Sequence, residues 1–238
     1  MRILGLDSSG LVAGVAVVED EVVLAEYTTN YKKTHSQTLL PMLDEIRGRL
    51  ELDLGTIDAV AVASGPGSFT GLRIGSATAK GLGLALGKPL VEVPTLEGLA
   101  WNLWGTGRLV CPLMDARRNQ VYTAVYEFLP AGETFSLNTL IPQMPVDIGE
   151  IVDRLNEIGR PVIFLGDGVP VYREIVKGLC KVPYAFAHPG NNRQRAASVA
   201  SLGAVYFAQG KTVTAARHRP VYLRKSQAEQ EAEAAGGM

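Results

Sequence analysis

Histidine is scarce in this chain. His35, His188 and His218 are the only 3, and they form neither His-x-x-x-His nor His-Glu-x-x-His, the spacings that place zinc ligands on one helix face. Cysteine is scarcer. Cys111 and Cys180 are the only 2, far apart and in apolar surroundings, which excludes a disulfide framework and a Cys-x-x-Cys metal pair and fits thiols kept reduced. There is no Gly-x-Ser-x-Gly elbow, no Gly-x-Gly-x-x-Gly fingerprint and no Walker A loop. Charge of neither sign dominates: 23 Lys+Arg stand against 24 Asp+Glu, a net −1 that argues against a broadly basic nucleic-acid face and leaves room only for a local patch. The longest apolar region, Ile74–Val93, is interrupted by Lys80, Lys88 and Glu92, short of the roughly 20 apolar residues of a membrane span. Asp7 falls where a signal peptide needs its apolar stretch. The expectation is a soluble, cytoplasmic protein with no membrane partner.

What is present is enough apolar material for a large core: 238 residues, 47% of them hydrophobic. Arg2–Ser8 reads as a strand ending in Asp-Ser-Ser-Gly, followed by strands at Val12–Val18 and Val22–Tyr31 around the polar turn Glu19-Asp20-Glu21. Thr34 and Gln37 form a capping box before a helical stripe of Leu39, Leu43, Ile46 and Leu50, with Pro41 near the start. A strand at Ile57–Ala63 leads through Ser64–Gly71 into a helix reaching Leu86, then a strand at Pro89–Val93 and a helix at Leu96–Trp104. The order then begins again. Leu109–Met114 ends at Asp115 as Ile3–Leu6 ends at Asp7, and a returning strand, Val121–Phe128, follows. Helices at Asp147–Ile158, Val171–Leu179 and Ala196–Gln209 and a strand at Pro161–Leu165 complete an α/β order in two similar halves.

Two places suit an anion. Asp7, Ser8, Ser9 and Gly10 make a tight turn whose N–H groups can face a phosphate, or whose aspartate can simply cap its own backbone. Gly65-Pro66-Gly67-Ser68-Phe69-Thr70-Gly71 lies between strand and helix, where glycine permits close approach and a helix N-terminus offers unpaired N–H groups. It reads equally as a rigid helix cap. Gly71, Gly75, Ala79 and Gly83 then recur every fourth residue on one side of the helix, and something must compensate for so much glycine: the chain's own core or a partner's helix. Asp7, Glu97 and Asp115 are carboxylates that a cleft would have to bring together for acid–base work.

Arg2–Ser9, His35–Pro41, Gly65–Gly75 and Pro220-Val221-Tyr222-Leu223-Arg224 together resemble the TsaB family, formerly YeaZ, over most of the chain. The resemblance implies an actin-like, sugar-kinase-like (ASKHA) α/β fold of two lobes, each a mixed five-stranded sheet with helices. The lobes would be 1–104 and 105–228, with the last helix (about 194–210) packing back on the first and 229–238 a flexible tail. It implies a non-catalytic subunit that binds and activates TsaD, joined by TsaE, for transfer of threonylcarbamoyl to the adenosine beside the tRNA anticodon. TsaD carries a His-Met-Glu-Gly-His-like metal stretch; here Thr95-Leu96-Glu97-Gly98-Leu99 stands in its place, with no imidazole. No catalytic residue, metal or cofactor of its own is therefore expected, with ATP or ADP at the complex interface. Asp7, Ser8, Ser9, Gly65, Gly67, Ser68 and Thr70 are the candidate phosphate loops. His35, Gln37, Leu40, Gly71, Arg73, Gly75, Ala79 and Gly83 are the expected partner interface, used by TsaD or by a second copy when the chain is alone; tRNA would be reached indirectly. The competing readings are an actin-like ATPase or phosphotransferase built on Asp7, Asp115 and the Gly65–Gly71 loop, and, more remotely, a metallopeptidase.

Overall fold

In a computed structural model, which describes residues 1–30 and 38–224, the chain forms two five-stranded mixed sheets. The first contains β1 (Arg2–Asp7), β2 (Ala13–Glu19), β3 (Val22–Thr29), β4 (Ala59–Gly65) and β5 (Leu90–Pro94), in the order β3-β2-β1-β4-β5. The second contains β6 (Leu109–Asp115), β7 (Gln120–Ala131), β8 (Thr134–Asp147), β9 (Val162–Leu165) and β10 (Tyr184–Phe186), in the order β10-β9-β6-β7-β8. The two orders are the same when read from opposite edges. In each, an antiparallel meander is extended on the far side of its first strand by parallel strands. This duplicated topology is the actin-like, sugar-kinase-like fold.

Strand alternation decides which layer each residue enters. On β1, Leu4 and Leu6 join a core with α1 (Leu39–Leu50) and α2 (Phe69–Leu86), while Ile3 joins the opposite core, with α6 (Ala196–Ala208). Gly5 faces α6 so closely that a Cβ there would lie 2.4 Å from the Ala196 carbonyl oxygen. On β6, Leu109, Cys111 and Leu113 face α4 (Ile148–Ile158) and α5 (Val169–Leu179), and Val110 and Met114 face α3 (Thr95–Ala100). The late helix α6 thus lies on the first sheet, and α3 packs against the second.

Among the boundaries that differ from the sequence reading, two concern residues singled out there. Helix α1 begins at Leu39 with Thr38 as its N-cap, so the Thr34–Gln37 capping box does not start it, and those two residues lie outside the described ones. Pro41 becomes the third helical residue, where its missing N–H is one of the groups a helix start leaves unpaired anyway. Leu96–Trp104 is helical only to Ala100 and continues as a short 3-10 turn, Trp101–Leu103.

Candidate functional site

The turns that carry the candidate residues lie at the ends of β1, β4 and β6. In the first, Asp7 Oδ1 accepts hydrogen bonds from Ser9 N (2.8 Å) and Ser9 Oγ (2.7 Å), and Ser8 Oγ donates to the Gly71 carbonyl at 2.8 Å. Ser68 N donates to the Ser9 carbonyl at 2.7 Å, and Ser68 Oγ accepts from Gly71 N as the cap of α2. A Cβ on Gly67 would lie 2.3 Å from the Ser9 carbonyl oxygen, and one on Gly71 would lie 2.0 Å from that of Ser8. Gly65, at φ +122°, donates to Thr95 Oγ1 and lies against the Val221 carbonyl oxygen, 2.1 Å from where its Cβ would be.

In these contacts the loop takes the form of the rigid cap that the sequence offered beside a phosphate site. Asp7, Ser8, Ser9, Gly65, Gly67 and Ser68 interlock with one another, with Gly71 and Thr95 and with the C-terminal segment. The oxygens of Ser8, Ser9 and Val221 fill the close approaches that glycine permits, and a carbonyl oxygen repels an anion. Thr70, the last of the seven, is exposed on the first turn of α2.

The reading of the small-residue stripe is corrected. Gly71, Gly75, Ala79 and Gly83 are all buried. A Cβ on Gly75 would lie 2.5 Å from Ser8 Oγ, and one on Gly83 2.8 Å from Leu90. The chain's own core therefore compensates for the glycines, and these four residues cannot be the floor for a partner helix. The opposite side of α2 carries Arg73, Ala77, Gly81 and Ala85, also every fourth residue, and all exposed. Beside them Leu84 is 72% exposed, and Leu40 on the neighbouring α1 is 54% exposed. Of the expected interface residues, Leu40 and Arg73 face outward; His35 and Gln37 lie outside the described residues.

Each of the three carboxylates has its own hydrogen-bond partner. Asp7 is held by Ser9, Glu97 accepts from Tyr206 on α6, and Asp115 Oδ1 accepts from Tyr172 Oη (2.8 Å) and Arg117 N (2.9 Å). Burial raises the Glu97 carboxyl above its ordinary range, and burial with the Asp115 carboxylate pushes the Tyr172 phenol up to about 12, so it stays a donor. Thr95 and Leu99 are buried, with Leu99 in the core between α3 and the second sheet. Among the described residues, no group of three His, Cys, Asp or Glu side chains is placed to hold a metal ion, and no helix is long and apolar enough to cross a membrane.

The β6–β7 turn is unusual. Arg117, Arg118 and Asn119 take φ of +66°, +55° and +58°, a conformation that costs a non-glycine residue roughly 1–2 kcal/mol. Asparagine tolerates it; arginine has no such preference. The turn is fastened by Arg117 N on Asp115, Ala116 N on the Gln120 carbonyl and Ile148 N on the Asn119 carbonyl.

A strap that sequence reasoning did not foresee as a structural unit crosses these turns. Val213 exchanges two backbone bonds with Leu90 at the open edge of β5, and Ala215 enters the core. His218, with no solvent exposure, sets Nδ1 2.7 Å from Glu92 Oε1. Val221 N donates to the Ser64 carbonyl, and the Tyr222 ring stacks on Phe69 with centroids 4.4 Å apart. Arg73 Nε donates to Tyr222 Oη, and Arg224 Nη1 donates to the Ala116 carbonyl at 2.6 Å. The visible signal was the Pro-x-Tyr-Leu-Arg segment.

Fold and loops together define a two-lobed protein of the actin-like class whose first-lobe turns are locked by its own chain. The model of the family "TsaD: tRNA N6-adenosine threonylcarbamoyltransferase" matches residues 22–232. The tRNA threonylcarbamoyladenosine biosynthesis protein TsaB of Bacillus subtilis (strain 168) is 32% identical over 203 residues, 85% of this chain and 87% of that protein. TsaB of Escherichia coli (strain K12) is 32% identical over 232 residues, 95% of this chain and 96% of its own. The solved structure of YeaZ from Pseudomonas aeruginosa superposes with a TM-score of 0.76 at 27% identity, covering 93% of this chain and 100% of that one. The chain belongs to the TsaB (YeaZ) family of tRNA threonylcarbamoyladenosine biosynthesis.

Proposed function

We propose that this chain is a non-catalytic, cytoplasmic subunit that binds and activates a TsaD-type transferase, with TsaE joining the pair. The observation that carries this reading is the outer side of α2. Ala77, Gly81 and Ala85 offer a shallow surface on which another helix can approach closely, with Leu84 and Leu40 as exposed apolar anchors beside it. Nothing within 4 Å would obstruct a Cβ at Gly81, so the surface is open. When the chain is alone, the same surface suits a second copy. The interlocked loops favour a supporting role over nucleotide turnover, and ATP or ADP is assigned to the interface with the partner.

The test is a Gly81→Trp variant, which places a bulky ring on the open side without entering the core. It is expected to weaken pairing with TsaD at least tenfold while the thermal midpoint of the monomer stays within a few degrees. Unchanged pairing contradicts the assignment of this face.

A further inference from the structure

The strap links the turn at 117–119 to the start of α2, and arginines predominate along this path. Arg73 meets Tyr222. Two residues on, Arg224 meets Ala116, and Arg117 and Arg118 follow directly, both exposed. Arg219, also exposed, lies three residues before Tyr222; its guanidinium donates to the carbonyls of Ala216 and His218, and its backbone N donates to Glu92 Oε1. Among the described residues, Arg73, Arg118, Arg219 and Arg224 form no ion pair, and Arg117 has only Asp115 at 3.6 Å.

Most of the nearby carboxylates are buried or hydrogen-bonded, while Asp147 and Glu92 keep solvent exposure. Asp7 is buried, Asp115 is held by Tyr172, Asp167 accepts from Asp115 N, and Asp147 accepts from Gly149 N. Solvent at this surface therefore meets five guanidinium groups, from Arg73, Arg117, Arg118, Arg219 and Arg224, against the carboxylates of Asp147 and Glu92, in a chain whose net charge is −1. In the middle lies the parallel Phe69–Tyr222 stack, with the Arg73 guanidinium 5.8 Å and 6.0 Å from the two ring centroids. The left-handed conformation of Arg117 and Arg118, fixed by the bonds of their turn, holds this part of the strip in place.

We infer that this strip binds the phosphate backbone of RNA, and that the chain therefore touches the substrate tRNA directly. Several guanidiniums spaced across both lobes suit a run of phosphates better than one small anion, because each planar fork can engage a separate phosphate. An aromatic platform among arginines suits an unpaired base as well. The choice of RNA rests on the reading of this chain as a subunit of the tRNA-modifying assembly, and it goes beyond that reading, which has tRNA reached only through the partner.

The experiment is salt-dependent binding of an unmodified tRNA transcript by the full chain. The variant is Arg118→Glu, whose parent side chain is exposed and forms no ion pair among the described residues. The charge-matched control is Arg108→Glu, at the opposite end of β6. The wild-type chain is expected to bind, with affinity falling steeply as salt rises. Arg118→Glu should weaken binding about tenfold at low salt and reduce the salt slope by about 1, with an unchanged thermal midpoint, while Arg108→Glu stays near wild type. No binding by the wild type, equal binding by Arg118→Glu, or an equal loss in Arg108→Glu overturns the proposal. The two readings fail separately. Stimulation of TsaD by a chain whose Arg118→Glu variant keeps full tRNA affinity sinks the strip alone. Arg118-dependent tRNA binding by a chain that never stimulates TsaD sinks the subunit reading alone.

Discussion

At the scale of the residue, the structure separates glycines that the sequence presents as alike. Gly71 lies against the Ser8 carbonyl, a backbone atom that cannot move aside, whereas Gly81 has nothing near its missing Cβ. Gly71→Ala is therefore expected to destabilise the monomer by about 1–3 kcal/mol in urea unfolding. Gly81→Ala should stabilise it by roughly 0.5–1 kcal/mol through helix propensity. A reversed order of the two unfolding midpoints contradicts the orientation of α2. His218 gives a pH signature. Burial, outweighing the hydrogen bond that His218 donates to Glu92, lowers its pKa below 6.5, with Lys80 and Arg219 acting in the same direction as burial. A histidine with a lowered folded pKa binds fewer protons than in the unfolded chain, so its contribution is complete above the unfolded pKa and is lost as pH falls through the folded one. Stability should drop as pH is taken below 6.5, and His218→Gln should flatten that part of the profile; parallel urea–pH profiles for the two proteins contradict the assignment.

At the scale of the element, most strands and helices were legible, and the exceptions have physical causes. The half-repeat of strand, terminal aspartate and returning strand became two sheets of one topology. Strand β8 was not legible, because Pro142 and Pro145 interrupt its pattern; it tolerates them as an edge strand that pairs only with β7. Strand β10 has three residues, too few to show a period. The stripe on α2 was visible, but its direction was not. The helix carries small residues at four-residue spacing on both sides, and only the packing against Ser8 and Leu90 tells which side is inside. The strap was hidden for a related reason: its anchors are at Leu90, Glu92, Ser64, Phe69 and Ala116, all distant in sequence. Tyr222→Ala, which removes the stack on Phe69 and the bond to Arg73, should make the peptide bonds after residue 218 several-fold more sensitive to limited proteolysis while the sheets stay protected. Equal cleavage rates contradict the strap as a fastened element.

At the scale of the whole molecule, one sheet-and-helix plan is used twice, and surface assignments divide between two regions. The outer side of α2 with Leu40 is given to a protein partner, and the arginine strip across the strap and the β6–β7 turn is given to RNA. The turns between them, which the bare sequence offers to a nucleotide, are occupied by the carbonyls of Ser8, Ser9 and Val221. The central claim is that this molecule supports chemistry performed by another chain. The most direct measurement is tRNA threonylcarbamoylation reconstituted from TsaC, TsaD and TsaE, with and without this chain, beside this chain assayed alone. The account predicts activity that requires both this chain and TsaD, with no turnover by this chain alone. Full activity without it, or nucleotide hydrolysis or peptide cleavage by the isolated chain, would contradict the account.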